Sequence, residues 1–141
     1  MLLRTLGPVS HGIIDYAMVI ILAVGPGVAG FTGKQAIFCY ILAAVHFLMT
    51  VLTRFPLGAK KIIGFPLHGA IEALVSILLI LLPWMANFFR GVQSRNFFIA
   101  IGVLIGVIAL LTNYRGVSSS SKISSPTSSK TSSSSTSSKI S

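Results

Sequence analysis

His11 and Asp15 stand four residues apart in HGIIDYAM, and His68 and Glu72 stand four apart in HGAIEALV. Residues at i and i+4 share one face of a helix, so each stretch puts an imidazole and a carboxylate one turn apart on the same side. Such a pair can take up and release a proton, hold a small cation, or simply offset the cost of a buried charge. Asp15 and Glu72 are the only two acidic residues in the chain, and each opens a run that is otherwise built for lipid. His46 is the remaining one of three histidines. It shares a helical face with Cys39 and Thr50, at spacings of seven and four, just as Ser76 extends the face of His68 and Glu72.

Four apolar segments must carry these groups: about Val9 to Phe31, Ala36 to Thr53, Pro66 to Ala86, and Phe97 to Thr112, the last being the shortest. Each is near the ~20 residues that a helix needs to cross ~30 Å of hydrocarbon. The expected fold class is therefore all-α, a polytopic membrane protein with four transmembrane helices. Asp15 lies six residues past Val9, Glu72 six past Pro66 and His46 seven before Thr53, which at 1.5 Å per residue sets all three about 10 Å deep. His11, Asp15, His46, His68 and Glu72 thus form a candidate intramembrane polar layer.

Composition agrees with a bilayer setting. The 141 residues are 53% hydrophobic and only 9% charged, with a mean hydropathy of +0.88, whereas an average soluble domain carries ~25% charged residues. The net charge is +9, but the cations are scattered singly between apolar runs, without the basic stripe interleaved with aromatics that nucleic acid would require. The expected contact is the lipid bilayer, with no nucleic acid. Cys39 is the single cysteine, which excludes an intramolecular disulfide, a CxxC redox pair and a multi-cysteine zinc site. It reads as a small core residue.

The two histidine-acid stretches belong to an internal repeat. At an offset of 57, His11 matches His68, Gly12 matches Gly69, Ile14 matches Ile71, Asp15 matches Glu72, Pro26 matches Pro83 and Phe31 matches Phe88. With two residues inserted, Leu52-Thr53 matches Leu111-Thr112. The chain reads as a tandem duplication of a helical hairpin, repeat 1 about 8–57 and repeat 2 about 65–115, within a four-helix domain over 1–116. An even number of spans per copy relates the copies by a pseudo-twofold axis along the membrane normal. Residues 117–141 are rich in Ser, Thr and Lys, a composition too poor in apolar surface to offset chain entropy, and are expected to form a disordered cytoplasmic tail.

HGIIDY followed by GPGVAGF, LHGAIEAL followed by LLPWMANF, and LTRFPLGAKKIIGFPLH between them resemble the SPW-repeat family of bacterial integral membrane proteins over roughly residues 5 to 115. The Ser-Pro-Trp signature of that family is represented by Gly25-Pro26-Gly27 in the first copy and Leu82-Pro83-Trp84 in the second, which share the proline. The resemblance implies a duplicated two-helix architecture and supplies no activity, the family's biochemical role being unassigned.

Topology follows from the cations. Arg4, Arg54, Lys60, Lys61, Arg115, Lys122, Lys130 and Lys139 fall on one side of a four-span chain, and Lys34, Arg90 and Arg95 on the other. The positive-inside rule then makes both termini cytoplasmic, in a multi-pass protein of the cell (inner or plasma) membrane. Trp84, Phe88 and Phe89 suit an aromatic belt at the outer interface. The first segment is not read as a secretory signal, since Asp15 interrupts it and its counterpart lies mid-chain.

The remaining features read as architecture. Gly12 and Gly69 are expected at close helix crossings, and Gly102 and Gly106 provide a small-xxx-small face. Pro26 and Pro83 kink or end their helices near the outer surface. GPGVAG lacks the lysine and the strand-to-helix setting of a phosphate loop, and Ser76 alone makes no catalytic triad. No catalytic set, metal site or cofactor is assigned.

Three function classes follow: a non-enzymatic scaffold or partner-binding bundle, a small proton- or cation-coupled transporter or channel using the polar layer, and a b-type haem protein with axial ligands among His11, His46 and His68. A bundle this small buries little lateral surface, which suits a homo-oligomer or a membrane-protein partner.

Overall fold

A computed structural model describes residues 5–114. The tail expected over 117–141 lies outside the described residues, as do Arg4 and the tail cations used for topology.

Four helices follow one another: α1 (Pro8–Ala29), α2 (Lys34–Leu52), α3 (Phe65–Met85) and α4 (Val92–Leu111). Each is long and apolar enough to cross a membrane. Among the described residues the only β pairing is two isolated bridges, Leu6 with Thr112 and Thr53 with Ile63. The helix starts are set by local chemistry: Gly7 and Gly64 are extended N-caps, each followed by a proline in the first two helical positions, where the missing N–H costs nothing. α1 ends on Gly30 at φ 70, whose N–H bonds Pro26 O, a left-handed cap that glycine adopts without strain. The corresponding position beyond α3 is Asn87, at φ 55.

α4 departs from expectation. It spans 20 residues and begins at Val92, so α2, at 19, is the shorter. The polar Gln93, Ser94, Arg95 and Asn96 form its first turn ahead of the apolar run, with Arg95 N–H bonded to Gly91 O (2.8 Å) and its guanidinium reaching Phe89 O (3.3 Å). The polar turn remains helical because a helix meets its own backbone needs and long cationic side chains extend to the interface.

α1 packs along α2 and α3 along α4, and α1 also meets α4. Gly102 and Gly106 do what their spacing predicts: a Cβ at Gly102 would meet Ser76 O (2.9 Å) and Ile80, and one at Gly106 would meet Ser76 Oγ. Ser76 Oγ–H donates to Gly102 O (2.7 Å) across this seam. Gly12 and Gly69 serve differently from expectation. Each seats an aromatic ring, Phe55 over Gly12 and Tyr114 over Gly69, because the segments after α2 and α4 fold back onto the starts of α1 and α3. Pro26 and Pro83 lie inside α1 and α3, near their last turns. Trp84 is exposed, in keeping with an interfacial belt, but Phe88 is buried against Phe38 and Phe98 and belongs to the core.

The interior has two storeys. Toward the Gly30 and Asn87 end it is apolar, built from Met18, Leu22, Leu79, Phe88, Phe98 and Ile101. Toward the other end the same helix faces continue as His11, Asp15, His46, Thr50, His68 and Glu72, all buried. The outward faces are apolar, as with Ile13, Ile20, Val24, Ile41, Leu74 and Ile77, and lipid is their solvent.

Candidate functional site

The polar storey lies where α1 and α3 begin and α2 and α4 end. Each i,i+4 pair is in place, with His11 Nε2 3.4 Å from Asp15 Oδ1 and His68 Nε2 3.5 Å from Glu72 Oε1. The pairs also cross: His11 Nε2 is 3.3 Å from Glu72 Oε2, and His68 Nε2 is 3.3 Å from Asp15 Oδ2. The four side chains close a ring in which imidazole and carboxylate alternate. Both rings stand edge to face, with centroids 5.4 Å apart. The exposures of His11, Asp15, His68 and Glu72 are 0%, 2%, 0% and 2%, so the ring is almost wholly enclosed by protein.

Two threonines hold the imidazoles from behind. Thr112 Oγ–H donates to Ile108 O (2.7 Å), and His11 Nδ1 lies 2.9 Å from the same oxygen. Thr53 Oγ–H likewise donates to Met49 O (2.6 Å), with His68 Nδ1 2.7 Å away. A hydroxyl has one proton, and here it is committed to the helix carbonyl, so each Nδ1 must be the N–H donor. In the neutral form of each histidine the Nε2 lone pair then faces the ring. His11 Nε2, His68 Nε2, His46 Nε2 and Asp15 Oδ2 have no hydrogen-bond partner, although buried polar atoms are ordinarily paired.

The threonines reach across the hairpins, from the end of α4 to α1 and from the end of α2 to α3. Their positions are fixed by the isolated bridges, in which Leu6 N–H bonds Leu111 O (3.1 Å) and Ile63 N–H bonds Leu52 O (2.8 Å). Phe65 covers the ring from the same end, edge-on to His11.

Each carboxylate has one further neighbour, and here the halves differ. His46 Nε2 lies 3.8 Å from Asp15 Oδ1, whereas Ile105 stands at the matching place on α4. Tyr114 O–H donates to Glu72 Oε2 (3.1 Å), whereas Phe55 stands at the matching place after α2. Burial first, and then the Glu72 carboxylate, holds the Tyr114 phenol above its ordinary range, which keeps the proton on the donor. His46 and Glu72 are also the ionisable residues lining a cavity of about 40 Å³ between α2 and α3, with Leu42, Val45, Met49, Ile71, Val75 and Ile105 completing its wall.

All five residues expected in the polar layer are therefore buried together, with four in a ring and His46 beside it. Thr53, Thr112 and Tyr114 were not among the expected site residues; the signal that could have found the threonines is their place in the repeated Leu-Thr pair. A haem held between His11 and His68 would have to displace Asp15 and Glu72, which lie 3.3–3.5 Å from both Nε2 atoms. Comparison with protein-family models, with curated proteins and with solved structures finds no match to this chain.

Proposed function

We propose that this multi-pass membrane protein binds a small cation, a proton or a metal ion, at the ring formed by His11, Asp15, His68 and Glu72, and that its four helices are a duplicated hairpin built around that ring. The observation that carries this reading is the convergence of two imidazole Nε2 atoms, both without a hydrogen-bond partner, on two carboxylates at full burial. Ionisable groups at membrane depth cost ~2.5 kcal/mol upward to insert, and a structural tie could be made by uncharged side chains at lower cost. The duplication is supported by contacts that recur at the same offsets: His11–Thr112 with His68–Thr53, Leu6–Thr112 with Ile63–Thr53, and Gly12–Phe55 with Gly69–Tyr114. This arrangement is what the resemblance to SPW-repeat proteins implies. The placement in the cell membrane with both termini cytoplasmic belongs to the same reading, as does a non-enzymatic role.

A scaffold role is the second reading, favoured by the threonine bonds that tie each hairpin to the other. Reconstitution into liposomes separates the two. Cation binding coupled to movement gives a proton or cation flux that is lost in Asp15→Asn and Glu72→Gln. A scaffold gives no flux above empty liposomes, and the same substitutions lower thermal stability or partner capture.

A further inference from the structure

We infer that the ring is a binding site for one divalent transition-metal ion, held by His11 Nε2, His68 Nε2 and the carboxylates of Asp15 and Glu72. The inference rests on the cation-binding reading above and names the class of cation.

Distance decides first. The four imidazole-to-carboxylate separations run from 3.3 to 3.5 Å, longer than the 2.7–3.2 Å of an N–H···O bond. Ligands bonded at ~2.0–2.2 Å to one tetrahedral ion stand ~3.3–3.6 Å apart, and each imidazole nitrogen has one oxygen of each carboxylate at about that distance, although the two nitrogens meet different oxygens. The donor atoms of all four residues lie within 4.8 Å of one another. Each carboxylate turns both oxygens inward, Asp15 Oδ1 toward His11 and Oδ2 toward His68, Glu72 Oε2 toward His11 and Oε1 toward His68. The site thus offers two nitrogens and up to four oxygens.

The second argument is the threonine pair. A histidine that ligates a metal through one nitrogen characteristically donates its other N–H to an oxygen, which fixes the tautomer and the ring angle. Thr112 and Thr53 do this for His11 and His68 at 2.9 and 2.7 Å, and Tyr114 steadies Glu72 in the same manner at 3.1 Å. With the imidazoles deprotonated at Nε2, as metal ligation requires, these bonds leave inward lone pairs on two buried nitrogens that have no hydrogen-bond partner.

Charge and donor type narrow the ion. Two neutral imidazoles and two carboxylates carry −2, which one divalent cation cancels, and neutrality matters where water is excluded. Calcium and magnesium prefer all-oxygen shells. Copper(I) prefers thiolate and thioether, and Cys39 is not in the group. Paired imidazole and carboxylate suit zinc and its first-row neighbours. His46, 3.8 Å from Asp15 and facing the α2–α3 cavity, stands where an ion would approach the ring.

The test uses the full chain in detergent, stripped with chelator, reloaded with Zn2+ or Co2+ and passed through gel filtration. Elemental analysis is expected to find one ion per chain, and Co2+ to give the visible ligand-field bands of a site with nitrogen and oxygen donors. Asp15→Asn and Glu72→Gln are expected to weaken binding at least ~100-fold, Thr53→Val and Thr112→Val by ~10–100-fold, and Cys39→Ala to leave it unchanged. Should the amide variants fail to fold, the threonine variants carry the comparison. Wild-type protein that retains neither ion, or binding indifferent to all four substitutions, overturns the inference. If wild type takes no divalent ion yet carries a proton flux that Asp15→Asn abolishes, the metal is wrong and the cation-binding reading stands. If it shows neither, both fall.

Discussion

At the scale of single residues, the centre is governed by which atom holds a proton, and the threonines decide it. Replacing Thr53 or Thr112 by valine keeps the shape and removes the acceptor of a buried Nδ1–H, a loss of ~1–3 kcal/mol. Serine keeps the hydroxyl and is expected to recover most of that stability. Denaturation of the four variants in one detergent checks this, and equal stability of the valine and serine forms would refute the hydrogen-bond account. Tyr114→Phe makes the second half like the first, where Phe55 has no hydroxyl, and is expected to cost ~1.5–3 kcal/mol, the scale of a hydrogen bond to a carboxylate. The acids and histidines were legible in the sequence, since i,i+4 spacing and equal depth put them on facing stripes. The closing of two pairs into one ring was not. It depends on contacts between residues 53 and 61 apart in the chain, and on an apparently ordinary Leu-Thr at two helix ends.

At the scale of helices, the repeat and the apolar runs were enough to place all four elements within a few residues. The miss at α4 arose because hydropathy marks the lipid-facing length of a helix and not its first polar turn. The roles of glycine were only half legible. Gly102 and Gly106 have a recognisable spacing, but Gly12 and Gly69 make room for rings that arrive from loops, which no spacing within one helix can reveal. A Cβ at Gly102 meets backbone atoms of α3 that cannot rotate away, so Gly102→Val is expected to destabilise the bundle by ~1–3 kcal/mol. Gly27→Val, at a position with open space around it, should cost less, the ~0.5 kcal/mol scale of a surface change. Thermal melts of the two variants side by side are the measurement. Gly30→Ala, forced into the left-handed region, is expected to lose ~1–2 kcal/mol and so to fall between them or match the first.

At the scale of the whole molecule, the centre belongs to neither hairpin. Each contributes one histidine and one acid to the ring and one threonine to the other hairpin's histidine. The cation bias further predicts that loop 53–64 and both termini face the cytoplasm, while 30–33 and 86–91 face outward. Cysteine placed at Ser94 would be masked by burial, so accessible sites such as Lys60 and Arg90 should be labelled in a Cys39→Ala background. Labelling of Lys60→Cys by an impermeant thiol reagent added outside intact cells would contradict the assignment. The shared ring also sets the order of events during synthesis. α1 and α2 leave the ribosome first, and until α3 follows, Asp15 has only His11 and His46 to face in lipid. An aspartate costs up to ~2.5–3.5 kcal/mol to insert at the centre of a membrane helix and less toward its end, so the first hairpin is expected to be a poorer resident of the bilayer by itself. Arrival of His68 and Glu72 completes the ring, so a chain truncated after α2 is expected to persist in the membrane for less time than the finished chain, which conceals the charge; pulse-chase of the two forms checks this.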